Sequence, residues 1–190
     1  MMALKKLGAR QVLAITAAGS CHEEYPPGSL VLIEDFIDFT NNRNYTYYDG
    51  SARHLSMENP YCPYLNEIID EKYSQQNEKL LTGGVYGCFE GPRFETAAEV
   101  RMANQLGVHV MGMTNVPESI LAKELGLCYA NVSIIVNWGT GFKEEEDLDR
   151  EVMRGIVDEK KSDLLLNYIE ILAGTDYENR ICSCHDEFIM

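Results

Sequence analysis

The chain alternates short apolar runs with segments whose apolar residues recur every three or four positions. Residues 11–17, "QVLAITA", read as a buried strand that ends at Gly19. Residues 30–33, "LVLI", form a second run, entered through the turn Pro26-Pro27-Gly28. Residues 64–75 show a helical period, and a strand over 84–89 follows. A helix is predicted over 96–106, where Ala97, Val100, Met102, Ala103 and Leu106 recur near helical spacing. Residues 108–113 read as a strand. Residues 117–125 read as a helix, with Pro117 in its first turn and Gly126 as its stop. The most apolar strand is 128–136. The last element is a long helix over 148–172, with Val152, Ile156, Leu164, Leu165, Leu166 and Ile169 turned inward. Between the second strand and the first helix, residues 41–59 show no period and are rich in Asn, Tyr and Ser. They read as a long loop, and loops of that length in a compact domain are functional or disordered.

This order predicts an α/β fold, a mixed, largely parallel central sheet flanked by helices on both faces. No repeat and no linker interrupts it. A single domain over 1–174 is expected, followed by a C-terminal tail over 175–190. A chain of 190 residues is long enough to bury a real core. The formal net charge of −14 argues against nucleic acid as a partner. It also leaves the capture of any anionic substrate to local donors. No stretch approaches the ~20 apolar residues of a membrane span. The basic start "MMALKK" precedes an apolar run too short and interrupted for a signal peptide, so a cytoplasmic location is expected. Six scattered cysteines, Cys21, Cys62, Cys88, Cys128, Cys182 and Cys184, fit reduced thiols.

In such sheets ligands bind where strands end and helices begin. Three strand ends carry candidate residues. Around Ala17, the small-residue turn "TAAGS" lets backbone N–H groups approach an oxyanion closely, or is simple turn chemistry. In "MTNVPE", Thr114 or Asn115 is a helix N-cap, or a hydroxyl at a helix N-terminus makes an anion seat. Asn137 closes an apolar strand, where its amide offers a donor and an acceptor to a heterocycle or merely starts a loop. Glu95 adds an acid just before a helix, where it suits the macrodipole or faces a ligand. Phe94 beside it is core or stacks on a flat ligand.

The phrases "EGPRFETAAEVRMANQLG", "VMGMTNVPESILAKELGLCYA" and "AAGS…PPGSLVLIEDFIDFT", with their order and spacing along the chain, resemble the trimeric purine nucleoside phosphorylase and methylthioadenosine phosphorylase family. The resemblance runs over about 4–172. It implies cleavage of a purine nucleoside by inorganic phosphate, the co-substrate, to free base and ribose 1-phosphate or its methylthio analogue. No metal or organic cofactor is implied. Asn137 and Thr114 would be the catalytic groups. Ala17 would contact phosphate through its backbone, Thr114 through its hydroxyl, and Met113 would line the ribose. Phe94 would pack on the base, Asn137 would bond near N7, and Glu95 would grip N1–H of a 6-oxopurine. Methylthioadenosine enzymes of the family carry Ser and Asp where Glu95 and Asn137 stand here. The base expected is therefore hypoxanthine or guanine, from inosine, guanosine or 5′-methylthioinosine. The group at the 5′ end would fall near Leu148 and Asp149. A homotrimer is implied if the family assembly is retained.

The chain departs from the family at its start. It lacks the family's first strand, Gly-rich phosphate loop and Arg-His phosphate motif, roughly the first third. The expectation is a fragment or misplaced gene start, or a short form with little phosphorolysis and exposed sheet edges. Arg43 and Arg93 are present, with no reason to make them replacements. The other readings are methylthioadenosine phosphorolysis and a catalytically silent purine-binding or oligomerisation module. His54 reads as a surface histidine. "KEEEDLDRE" over 143–151 reads as a solvated, acidic helix start. "CSCH" over 182–185 suggests zinc but lacks a fourth ligand and the usual spacing. Some heat-adapted relatives close a C-terminal Cys-x-Cys as a disulfide. A spare thiol pair in a flexible tail is expected here.

Overall fold

The computed structural model describes residues 1–50, 54–76, 79–143 and 149–185. The elements are α1 (Met2–Lys6), β1 (Gln11–Ser20), β2 (Leu30–Asp38), α2 (Pro63–Gln75), β3 (Leu80–Cys88), α3 (Ala97–Gln105), β4 (Val110–Gly112), α4 (Asn115–Glu124), β5 (Cys128–Trp138) and α5 (Arg150–Gly174). Every strand and helix read from the sequence is there. β1, β2 and β5 run longer at their carboxyl ends than their apolar runs, because half-buried residues continue the ladders.

The strands pair in the order β1-β4-β3-β2-β5 and close into a barrel. β1–β5, β2–β3 and β3–β4 are parallel, whereas β1–β4 and β2–β5 are antiparallel. The sheet is thus mixed and largely parallel. Its closure was not foreseen, and it is narrow: β1 meets β4 only at Gly19–Met111 and Ser20–Val110. Over 11–18, β1 has β5 on one side and, among the described residues, no strand on the other.

Alternation along the strands feeds two cores. Leu30, Leu32, Ala130, Val132 and Ile134 pack with Leu65, Ile69 and Tyr73 of α2 and with Leu164, Tyr168 and Ile171 of α5. Val31, Ile33, Tyr86, Tyr129 and Ile135 face the other way, against Val116, Ala122 and Leu125 around α4. Tyr168 ties α5 to two strands: its hydroxyl donates to the Ala14 carbonyl at 3.0 Å and accepts from Val132 N–H at 3.1 Å.

Two helix faces differ from expectation. In α5 the core stripe is Met153, Ile156, Val157, Leu164, Tyr168 and Ile171, at helical spacing. Val152, Leu165, Leu166 and Ile169 are exposed, since a single helix turns only one stripe to the core. In α3, Val100 and Ala103 are buried but Met102 and Leu106 are exposed. The segment after α5 returns to the core, where Cys184 is buried. It is therefore no spare tail at that point. All six cysteines are free thiols.

Candidate functional site

A cavity of about 560 Å³ opens at the carboxyl ends of β1, β4 and β5. Ala17, Phe94, Glu95, Met113, Thr114 and Asn137 all line it. These residues come from four separate stretches, and the topology delivers them to one place.

β1 and β5 set the first corner. Their parallel register shifts between Ala18 and Gly19, a bulge that pairs Gly19 with Asn137. A Cβ on Gly19 would stand 3.2 Å from Asn137 Nδ2, so the glycine makes room for the amide. Asn137 Nδ2 donates to the Trp138 carbonyl at 2.6 Å. That bond leaves Oδ1 and the second amide proton to a ligand.

β4 sets the second corner. Gly112 lies against the Tyr86 hydroxyl, where any Cβ would overlap it. Thr114 occupies the N-cap position of α4, but its side chain makes no capping hydrogen bond. Helical backbone becomes regular only after Val116, at Pro117. The cap reading of Thr114 therefore fails, and its side chain lines the cavity instead. Asn115 is fully buried and accepts from the Tyr129 hydroxyl.

The turn before α3 supplies the rest. Gly91 takes φ +68°, and Met113 Sδ lies where its Cβ would project. Phe94 is half exposed, with one side toward the cavity. Glu95 is 8% exposed, and its Oε1 is buried without a hydrogen-bond partner. The dipole role that could have explained it belongs to Glu99. Thr96 and Glu99 form a capping box, with Thr96 Oγ1 accepting from Glu99 N–H and Glu99 accepting from Thr96 N–H. The spacing Thr96-x-x-Glu99 was a readable signal for this. Arg93 also goes to Glu99, through two bonds of 2.7 and 2.8 Å. Glu95 is left without an ion-pair partner, and burial, reinforced by the nearby Glu99 charge and only partly offset by a hydrogen bond from its own backbone N–H, pushes its carboxyl above the usual range.

Neither Arg43 nor Arg93 lines the cavity. Arg43 donates to the carbonyls of Phe89, Glu90 and Val116 and pairs with Glu90, pinning the loop after β2. Among the described residues, the cations that do line it are Arg150 and Arg154 of α5, with Met153 and Val157 beside them. Sequence reading missed these four, although positions 150, 153, 154 and 157 share one helical face. Leu148 and most of the acidic 143–151 run lie outside the described residues. Asp149 caps α5 by accepting from Glu151 and Val152 N–H groups. His54 is exposed.

Residues 1–170 match the family described as the Phosphorylase superfamily. The chain belongs to that superfamily. A probable 6-oxopurine nucleoside phosphorylase of Moorella thermoacetica is 40% identical over 185 residues, covering 96% of this chain and 70% of that protein. An S-methyl-5′-thioadenosine phosphorylase of Pyrococcus horikoshii is 43% identical over 187 residues, covering 97% and 70%. The crystal structure of a methylthioadenosine phosphorylase from an antarctic soil metagenomic library superposes with a TM-score of 0.89 at 27% identity, covering 98% of this chain and 66% of that one. The family fold therefore extends over nearly the whole chain, and the chain spans about two thirds of the length of such members.

Proposed function

We propose that the cavity binds a 6-oxopurine nucleoside and phosphate, and that the chain carries the phosphorolytic chemistry of its family. The observation that carries this reading is the buried Oε1 of Glu95, without a hydrogen-bond partner, on a side chain that lines the same cavity as the Asn137 amide. A carboxylate there needs a donor, and N1–H of hypoxanthine or guanine supplies one. Adenine presents a lone pair at that atom instead. Leaving a buried polar group unmatched costs about 1–3 kcal/mol, or roughly 5- to 150-fold in affinity.

In the proposed reaction a phosphate oxygen forms a bond to C1′ as the glycosidic bond to N9 breaks. The electron pair passes into the purine ring, and N7 takes up a proton from solvent water. Asn137 Oδ1 accepts a hydrogen bond from that N7–H as it forms, a contact stronger in the transition state than in the nucleoside. Thr114 and the backbone at Ala17 orient phosphate. Arg150 and Arg154 supply local positive charge in an otherwise acidic protein. Phe94 packs on the base and Met113 on the ribose. The apolar Met153 and Val157 on the same wall favour a second arm of the reading, a 5′-methylthio group on the sugar.

The test is phosphate-dependent release of hypoxanthine from inosine and from 5′-methylthioinosine, with methylthioadenosine as comparison. The expected order places both 6-oxopurines ahead of methylthioadenosine. The double variant Glu95→Ser with Asn137→Asp should reverse that preference toward 6-aminopurines. Unchanged preference in the variant would remove the specificity argument. Hypoxanthine binding without turnover would support the silent module.

A further inference from the structure

Four of the six cysteines converge at the opposite end of β5 from the cavity. The Sγ atoms of Cys62, Cys128, Cys182 and Cys184 all lie within 4.8 Å of one another. Cys128 and Cys182 Sγ are 3.6 Å apart. Cys62, Cys128 and Cys184 are buried and Cys182 is half-buried. A tetrahedral four-thiolate site with metal–sulfur bonds of about 2.3 Å sets its sulfurs about 3.8 Å apart. The observed spacing brackets that value, and all four residues are free thiols.

We propose that these four cysteines form a closed, structural zinc site. Two ligands sit on rigid elements. Cys62 precedes the first turn of α2, and its N–H donates to the Tyr129 carbonyl at 2.8 Å. Cys128 is the first residue of β5. The other two come from the Cys182-Ser183-Cys184 segment beyond α5. The metal would clasp that segment to the start of a helix and the start of a strand. Four protein ligands leave no open position, the arrangement of structural rather than catalytic zinc. Asn137 stands nine residues along β5 from Cys128, roughly 30 Å at about 3.3 Å per residue, so the site is remote from the cavity.

Charge fits as well. Zinc with four thiolates carries a net charge of −2, since each coordinating thiol releases its proton. Two cations act on the cluster. Lys123, nearly buried with its ammonium on the Asn59 carbonyl, interacts with Cys184 and Cys62. Arg180, stacked over Tyr177, interacts with Cys128 and Cys182. A dianionic centre gives a counter-charge to the buried Lys123 and to the partly buried Arg180. The surroundings are otherwise apolar, which suits thiolate over oxygen ligation and a borderline-soft metal over magnesium or calcium.

The chain, isolated under anaerobic reducing conditions, is expected to hold one zinc ion by elemental analysis. Replacement by cobalt should give thiolate-to-cobalt charge-transfer bands with the intense visible bands of tetrahedral coordination. Zinc added to chelator-treated chain should raise the unfolding midpoint by roughly 5–10 °C at about a hundredfold excess over Kd. Cys182→Ser with Cys184→Ser should weaken zinc binding at least 100-fold, while Cys88→Ser should leave it unchanged. A wild-type chain that neither holds nor takes up zinc overturns the proposal. So does a cobalt form lacking thiolate bands, or a mass showing disulfides among these four cysteines in the anaerobically isolated chain. Inosine cleavage is not a readout here, so failure of this proposal is distinguishable from failure of the nucleoside reading.

Discussion

Glu95 is costly where it stands. Its carboxyl is buried, Arg93 is committed to Glu99, and burial raises its pKa above the ordinary 4.5. A raised folded pKa means the folded state holds the proton more tightly than the unfolded chain. Below the unfolded pKa both states are protonated and nothing is lost. As pH rises from there through the folded pKa, stability falls, and the deficit persists at neutral pH. Glu95→Gln should therefore be more stable than the parent at pH 7, by about 1 kcal/mol, and equal to it near pH 3. Denaturant unfolding at the two pH values checks this. Binding of hypoxanthine runs the other way, since it needs the carboxylate. Parent affinity should rise with pH through that window, and the variant should be flat and at least about tenfold weaker at neutral pH. A gain in stability with a loss of binding is the signature of a residue kept for its ligand.

At the scale of elements, α3 holds Glu95 in that state. Thr96→Ala removes the cap and should cost about 1 kcal/mol in thermal or denaturant unfolding. Glu99→Gln acts on charge instead: it removes an acid that raises the Glu95 pKa and frees Arg93, which lowers it. The pH midpoint of hypoxanthine binding should move down in Glu99→Gln, read by titration calorimetry across pH. These links explain what the sequence made legible. The strands over 11–17 and 128–136 were plain because apolar runs are local signals, and Gly126 and Pro117 punctuate α4 locally too. Ala17, Met113, Thr114 and Asn137 were legible because they sit at strand ends, and Glu95 because it stands just before a helix, whereas Arg150, Met153, Arg154 and Val157 reach the cavity only through the packing of α5. The α5 face was misjudged because its apolar residues outnumber one stripe, and only packing selects Leu164 over Leu165 and Leu166. The cysteine cluster was invisible for the same reason in stronger form. Cys62 and Cys128 stand far along the chain from Cys182 and Cys184, so no spacing rule reaches them.

The whole molecule bears on phosphate. A formal charge of −14 surrounds a site that, on the proposed reading, must take up a dianion. Arg150 and Arg154 act at short range, within the cavity wall. The remaining field acts at long range and is repulsive, and dissolved salt screens long range first, with a Debye length of about 30 Å at 0.01 M and about 8 Å at 0.15 M. An enzyme with a positive funnel loses anion affinity as salt rises. Here the long-range term has the opposite sign, so KM for phosphate should fall, by about twofold, between those ionic strengths. Inosine is neutral, and its KM should not move, which separates screening from a general effect on the fold. Neutralising distant surface acids such as Glu67, Asp70 and Glu71 on α2 should reproduce the fall at low salt and abolish its salt dependence in part. A phosphate KM that rises with salt would mean that the two arginines dominate even at the range where encounter is decided.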